Sequence, residues 1–216
     1  MKLLALVLSF GLAMGSPALV ASESVDPLES ARWGDMRKLF FGTQQLVFDD
    51  RVKVIGPADA ENPMQVPITV DATALGSVQE VLVFADFNPI LQILRFFPQR
   101  ASAFLGFRIK LQQSSPVRAA ALTSDGVWHL GGTWINTVGG GCTAPSAASA
   151  APEWQRRLNE VSGRQWTSGP MSGRVRMRII HPMDTGLVAG IPAFYLEDIE
   201  FLDPEDRLLM RVQPFE

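Results

Sequence analysis

Residues 62–90 read NPMQVPITVDATALGSVQEVLVFADFNPI, and this stretch decides the fold. Val66, Ile68 and Val70 recur at a period of two, as do Val81 and Val83, the spacing of side chains along one face of a strand. Asn62-Pro63 and Asn88-Pro89 bracket the stretch with turn chemistry. The same period extends outward to Val52 and Val54, and to Phe107, Ile109 and Leu111. Gly56-Pro57, Ser115-Pro116 and Asp125-Gly126 separate these runs, while Val127-Trp128 and Thr133 to Val138 close the unit. Short strands at near-regular spacing, with turns between them, predict an all-β, immunoglobulin-like β-sandwich.

One helix is expected before the strands. Asp26-Pro27 supplies an N-cap and a first-turn proline, and Leu28, Ala31, Met36, Leu39 and Phe40 follow at roughly helical spacing up to Gly42. Upstream, MKLLALVLSFGLAMGSPALVA has one cation (Lys2), an apolar run from Leu3 to Met14, and then small residues. This is the three-part pattern of a secretory signal peptide, with cleavage expected after Ala21. The expected location is therefore a bacterial periplasm, with no membrane anchor. Without Lys2 the chain holds 18 basic against 22 acidic residues, a balance that argues against a nucleic-acid partner.

From Gly139 to Pro152 the composition changes to glycine, alanine, serine, threonine and proline around Cys142, the single cysteine of the chain. Gly139, Gly140 and Gly141 precede it. A lone thiol in an oxidising compartment suggests intermolecular pairing or a reactive role. The all-small neighbourhood predicts an exposed, mobile arm carrying that thiol. Four extended residues would reach about 14 Å. Further on, Glu153 to Val161 is expected as a short helix, Gly163 to Gly173 as a loop, and Val175–Ile180, Ala193–Phe201 and Leu208–Val212 as strands of a second, small β unit packed on the first. The resulting division is 1–21 signal peptide, 22–138 sandwich, 139–172 arm and linker, and 173–216 second β unit.

Enzyme chemistry finds little support. There are two histidines, His129 and His181, so an imidazole metal site has few ligands, and a copper site would rest on His181-Pro-Met183 alone. A catalytic cysteine normally sits on a rigid element that fixes its base, which a triglycine arm is not. GLGF, GGTW and VGGG lack the helix start of a phosphate-binding loop. Neither a cofactor nor a catalytic role is expected. A thiol on an arm is suited instead to carrying a covalently attached group between enzymes.

Several stretches resemble the SoxY family of sulfur carriers: PADAENPMQVPITV (57–70), VFADFNPI (83–90), GFRIKL (106–111), PVRAAAL (116–122) and Gly140-Gly141-Cys142. IIHPMDTGL (179–187) followed by IPAFYLEDIEF (191–201) resembles the start of SoxZ. The whole is similar to fused SoxYZ-like carriers associated with quinoprotein dehydrogenases. The resemblance implies immunoglobulin-like domains, covalent attachment of sulfur intermediates to Cys142, and an arm or partner contact for His181, Met183 and Asp184. It also implies partners among periplasmic Sox-type enzymes, c-type cytochromes or a PQQ-dependent quinoprotein dehydrogenase. Thr143-Ala144-Pro145 stands where the family has a second glycine pair, and the arm is internal. The alternative is a non-catalytic binding or assembly protein for a dehydrogenase or cytochrome, with Cys142 incidental. As a purely structural feature, His181 to Gly186 would be a strand end turning through Asp-Thr-Gly.

Overall fold

The computed structural model describes residues 25–144, 153–169 and 172–215. The expected signal peptide lies outside the described residues. Helix α1 (Trp33–Phe40) precedes strands β1 (Leu46–Phe48), β2 (Lys53–Ile55), β3 (Asp59–Ala60), β4 (Val66–Asp71), β5 (Val78–Ala85), β6 (Gln92–Phe97), β7 (Phe104–Ile109), β8 (Ser115–Thr123) and β9 (Trp128–Thr137). After it come β10 (Val161–Gly169), β11 (Ser172–Ile179), β12 (Ile199–Leu202) and β13 (Leu208–Pro214). A large sheet runs β1-β9-β8-β5-β6-β13-β12, with β3 also on β9, and a small sheet runs β2-β4-β7. The two sheets form the immunoglobulin-like sandwich.

Three layers explain the hydrophobic pattern. Val81, Val83, Ala85, Val117, Ala119 and Ala121 of the large sheet meet Val66, Ile68 and Val70 of the small sheet in the main core. The intervening Leu82, Phe84 and Ala120 point the other way, against Trp33, Met36 and Phe41. Strand β5 is therefore covered on both faces, which is why its second half reads as an unbroken apolar run. The Asp125-Gly126 turn joins β8 to β9 with Gly126 at φ 82°.

The helix is shorter than the sequence predicts. It begins at Trp33, because Asp26 has another task. Asp26 accepts the N–H groups of Leu28 and Ser30 in a preceding turn, and the Arg118 guanidinium clamps its carboxylate at 2.8 and 2.7 Å. Gly42 does end the helix, with φ 55° and its N–H on the Arg37 carbonyl.

The C-terminal half departs further. Glu153 to Val161 is not an α-helix; it holds a 3-10 turn, Trp154–Arg157, and β10 starts at Val161. Gly163 to Gly173 is not a loop, since β10 pairs antiparallel with β11 in a two-stranded hairpin. Of the strand expected at 193–201, only the last three residues are in a strand, β12 (Ile199–Leu202). The last strand, β13, pairs with β6 of the sandwich, Val212 opposite Phe96, and Val212 joins the main core. The hairpin β12–β13 thus extends the large sheet and has no separate sheet of its own.

Arg118 is 1% exposed, and it also donates to Asp86 at 3.0, 3.1 and 3.2 Å. Its guanidinium lies 4.7 Å from the Trp33 ring centroid. Removing one partner of a buried, hydrogen-bonded charge costs about 3–5 kcal/mol. Asp86→Ala should therefore lower unfolding stability by about that amount in urea titration. Burial raises the Asp26 pKa, but the Arg118 hydrogen bonds and two backbone N–H groups outweigh it and hold it below 3.8. Its contribution is present above the unfolded value and lost as pH falls through the depressed folded value. Acid titration should show destabilisation setting in below about pH 4, with a shallower slope there for Asp26→Asn.

Candidate functional site around Cys142

The site is built on the backbone of residues 110–112. Asn88, buried at the end of β5, donates from its side-chain amide to the Lys110 carbonyl at 2.8 Å. Its amide oxygen accepts the Gln112 N–H at 3.0 Å. One side chain thus holds both ends of this short segment as a neighbouring strand would. Leu111 in between donates its N–H to the Pro63 carbonyl at 2.8 Å.

The glycine run hangs on this segment. Gly140 donates to the Gln112 carbonyl at 2.9 Å and Gly141 to the Leu111 carbonyl at 3.0 Å. Gly139 and Gly140 have φ values of 87° and 85°, which glycine adopts at little cost. Gly141 is fixed by space. A Cβ there would overlap the Pro63 carbonyl oxygen and lie 2.7 Å from that of Leu111. Only glycine lets the chain approach so closely.

Cys142 is consequently placed inside and is 1% exposed. The expectation of an exposed, mobile arm is therefore wrong for Gly139, Gly140, Gly141 and Cys142. The lack of side chains, read from sequence as freedom, serves here to nest the backbone against two carbonyls. Residues 145–152, the remainder of the expected arm, lie outside the described residues. On the outer side of the glycines is a shallow, open depression of about 460 Å³ bordered by Phe87, Gln113, Ser114 and Val138.

The segment 181–194 meets the backbone of Cys142. Thr185 donates its hydroxyl to the Cys142 carbonyl at 3.3 Å, and the Lys110 ammonium donates to the Met183 carbonyl at 2.6 Å. Asp184 and Phe194 exchange backbone hydrogen bonds at 2.8 and 2.9 Å, making this segment a small closed loop. His181 is turned into the loop: its Nδ1 accepts the Met183 N–H at 3.1 Å and its ring packs on Phe194, 4.6 Å between centroids. Burial lowers the His181 pKa, against the opposing pull of Asp184. The motif reaches Cys142 through Thr185, which is not one of the expected contact residues, whereas Met183 receives Lys110 and His181 and Asp184 build the loop itself. Among the described residues, no group of three or more His, Cys, Asp or Glu side chains is placed to hold a metal ion.

Asn88, Lys110 and Thr185 were not read as site residues from the sequence. Asn88 counted only as a turn marker before Pro89. Nothing in sequence spacing signals a lysine contact 73 residues away, and Thr185 shows only as part of a turn.

Residues 37–142 match the family described as "Sulfur oxidation protein SoxY", and the match ends on Cys142 itself. The SoxY sulfur carrier protein of Chlorobium limicola f thiosulfatophilum is similar in structure over 50% of this chain and 96% of its own, with 16% identity and a TM-score of 0.43. The superoxide reductase (neelaredoxin) of Ignicoccus hospitalis is similar over 40% of this chain and 79% of its own, with 16% identity and a TM-score of 0.34. No curated protein matches the chain significantly.

Three outcomes test this geometry. A thiol reagent should label Cys142 in the native protein at least about tenfold more slowly than in denaturant, because reaction waits on local opening. Thr185→Val removes one hydrogen bond of about 0.5–1.5 kcal/mol, so native labelling should accelerate roughly 2- to 13-fold with the overall melt almost unchanged. Gly141→Ala should accelerate it more, since the new Cβ cannot coexist with the Pro63 carbonyl.

Proposed function

We propose that the protein is a carrier that holds sulfur-containing intermediates on the Cys142 thiol and presents them to partner enzymes. The observation that supports this most is positional. The SoxY family match runs to residue 142 and ends on the one cysteine of the chain, directly after the glycine run. The partners would be periplasmic enzymes of sulfur oxidation, c-type cytochromes, or a quinoprotein dehydrogenase system, following export by the N-terminal leader.

The chemistry constrains those partners. Joining a thiol to a sulfur species through a new S–S bond releases the thiol proton and two electrons. Loading of that kind therefore needs an electron-accepting partner, a role that suits a c-type cytochrome. The thiolate is the nucleophile, and at neutral pH a cysteine near pKa 8.5 is only a few per cent thiolate. A partner's active site must complete the activation once the thiol is released.

The hold includes the Gly140 and Gly141 N–H bonds and the Thr185 and Thr143 hydroxyl bonds, each worth about 0.5–1.5 kcal/mol net. Binding of a partner could supply that much. While buried, the thiol is shielded from small-molecule oxidants and nucleophiles.

Burial of Cys142 also favours a second reading, in which the sandwich is a binding or assembly module and the cysteine merely packs, as small apolar side chains do. Cys142→Ser separates the two. Under the carrier reading the variant folds normally, melts within about 1 kcal/mol of the parent, and abolishes the sulfur-oxidising or dehydrogenase-linked activity of the host. A fully active Cys142→Ser protein would leave the assembly reading standing.

A further inference from the structure

The hairpin β10–β11 carries a feature that the thiol site does not use. Its register pairs Arg164 with Arg176, Trp166 with Arg174, and Ser162 with Arg178. Residues directly opposite on paired strands share a face, and alternate residues along a strand do too. Arg164, Trp166, Arg174, Arg176 and Arg178 therefore lie together on one face of a two-stranded ribbon. All five are exposed. Arg174 to Arg178 spans about 13 Å, and the Arg174 guanidinium stands 6.0 Å from the Trp166 ring centroid.

The charge here is opposite to that of the rest of the molecule. Residues 161–179 contain four arginines and no acidic residue, leaving 15 basic against 22 acidic residues elsewhere. Seven other arginines pair with carboxylates: Arg51, Arg95, Arg118, Arg156, Arg157, Arg207 and Arg211. Among the described residues, none of the four hairpin arginines makes an ion pair. Like charges are instead placed opposite each other, Arg164 against Arg176, which destabilises a pair of strands. A two-stranded ribbon is marginal by itself, and its other face exposes Val161 and Val175.

We propose that this face is a docking surface for an acidic protein partner, whose carboxylates pair with the four guanidinium groups around Trp166. Arginine and tryptophan are the residue types that dominate binding energy at protein interfaces, and guanidinium groups take carboxylates in bidentate pairs. The acidic surplus of the remaining chain disfavours wrapping by a long polyanion. The ribbon is also continuous with the thiol site: Arg178 precedes His181 by three residues, and that segment supplies the Thr185 contact to Cys142. A partner seated on the ribbon engages the chain that leads to the Thr185 contact with Cys142.

The test uses the full mature protein, with and without Cys142→Ser so that its result does not depend on the carrier reading. The probe is a synthetic peptide with glutamate at alternate positions, compared with a single-stranded oligonucleotide and with phosphatidylserine vesicles. The peptide should bind more tightly than either, weaken as salt rises, and lose at least about tenfold in affinity in the Arg164→Gln/Arg174→Gln/Arg176→Gln/Arg178→Gln variant. Arg100→Gln/Arg108→Gln, which removes two exposed arginines of the sandwich, should bind like the parent. Equal binding by the fourfold variant, or tighter binding of the oligonucleotide or the vesicles, would overturn the proposal. Circular dichroism and the melt of the fourfold variant should match the parent, since removal of the opposed arginine pair relieves repulsion.

Discussion

The placement of Cys142 depends on one steric constraint, the fit of Gly141 between the carbonyl oxygens of Pro63 and Leu111. A residue with a Cβ could not stand there. The constraint explains why residue 141 must be glycine, while the positive φ of Gly139 and Gly140 favours glycine there for a separate reason. It also ties the site to the sandwich, since Leu111 is a fully buried core residue and Asn88 holds the backbone on either side of it. The arm is thus anchored on backbone next to the buried core, and its hold includes backbone and hydroxyl hydrogen bonds. A group that must be covered at rest and reachable on demand needs that combination.

The second organising feature is the Arg118 cluster on the far side of the large sheet. Arg118 occupies a strand position among alanines and valines, where a lone charge would be prohibitive. Asp86 from the end of β5 and Asp26 from the N-terminal segment satisfy it, and Trp33 covers the guanidinium. The N-terminal segment is thereby held on the sheet by an ionic anchor, and the helix adds an apolar one. The charged cluster thus lies on the helix side of the large sheet, away from the apolar core between the two sheets.

Much of this was legible in the sequence, and the failures have a common cause. Period-two runs at 66–70 and 107–111 identified strands because one face of each is solvated. The turns at Asp125-Gly126 and the stop at Gly42 were equally plain, since a positive φ demands glycine there. Asp26 misled because a residue that resembles a helix cap serves a distant arginine. The glycines before Cys142 misled because composition reports what a chain can do alone, whereas their role is set by carbonyls 30 and 78 residues earlier. Of the ribbon, the strand at 175–180 was legible and its partner β10 was missed, since β10 alternates arginine and tryptophan with small residues over glycine-rich sequence and has no core to mark it. Residues that act through a distant partner, such as Lys110 on Met183, have no local signature.

The carrier account is tested most directly by the mass of the peptide containing Cys142 in protein purified from its native host without reductant. The account predicts a fraction carrying added mass on that residue, consistent with a sulfane or thiosulfonate group, which reductant returns to the bare thiol. A peptide that shows only the unmodified cysteine, in cells actively oxidising their substrate, would contradict it.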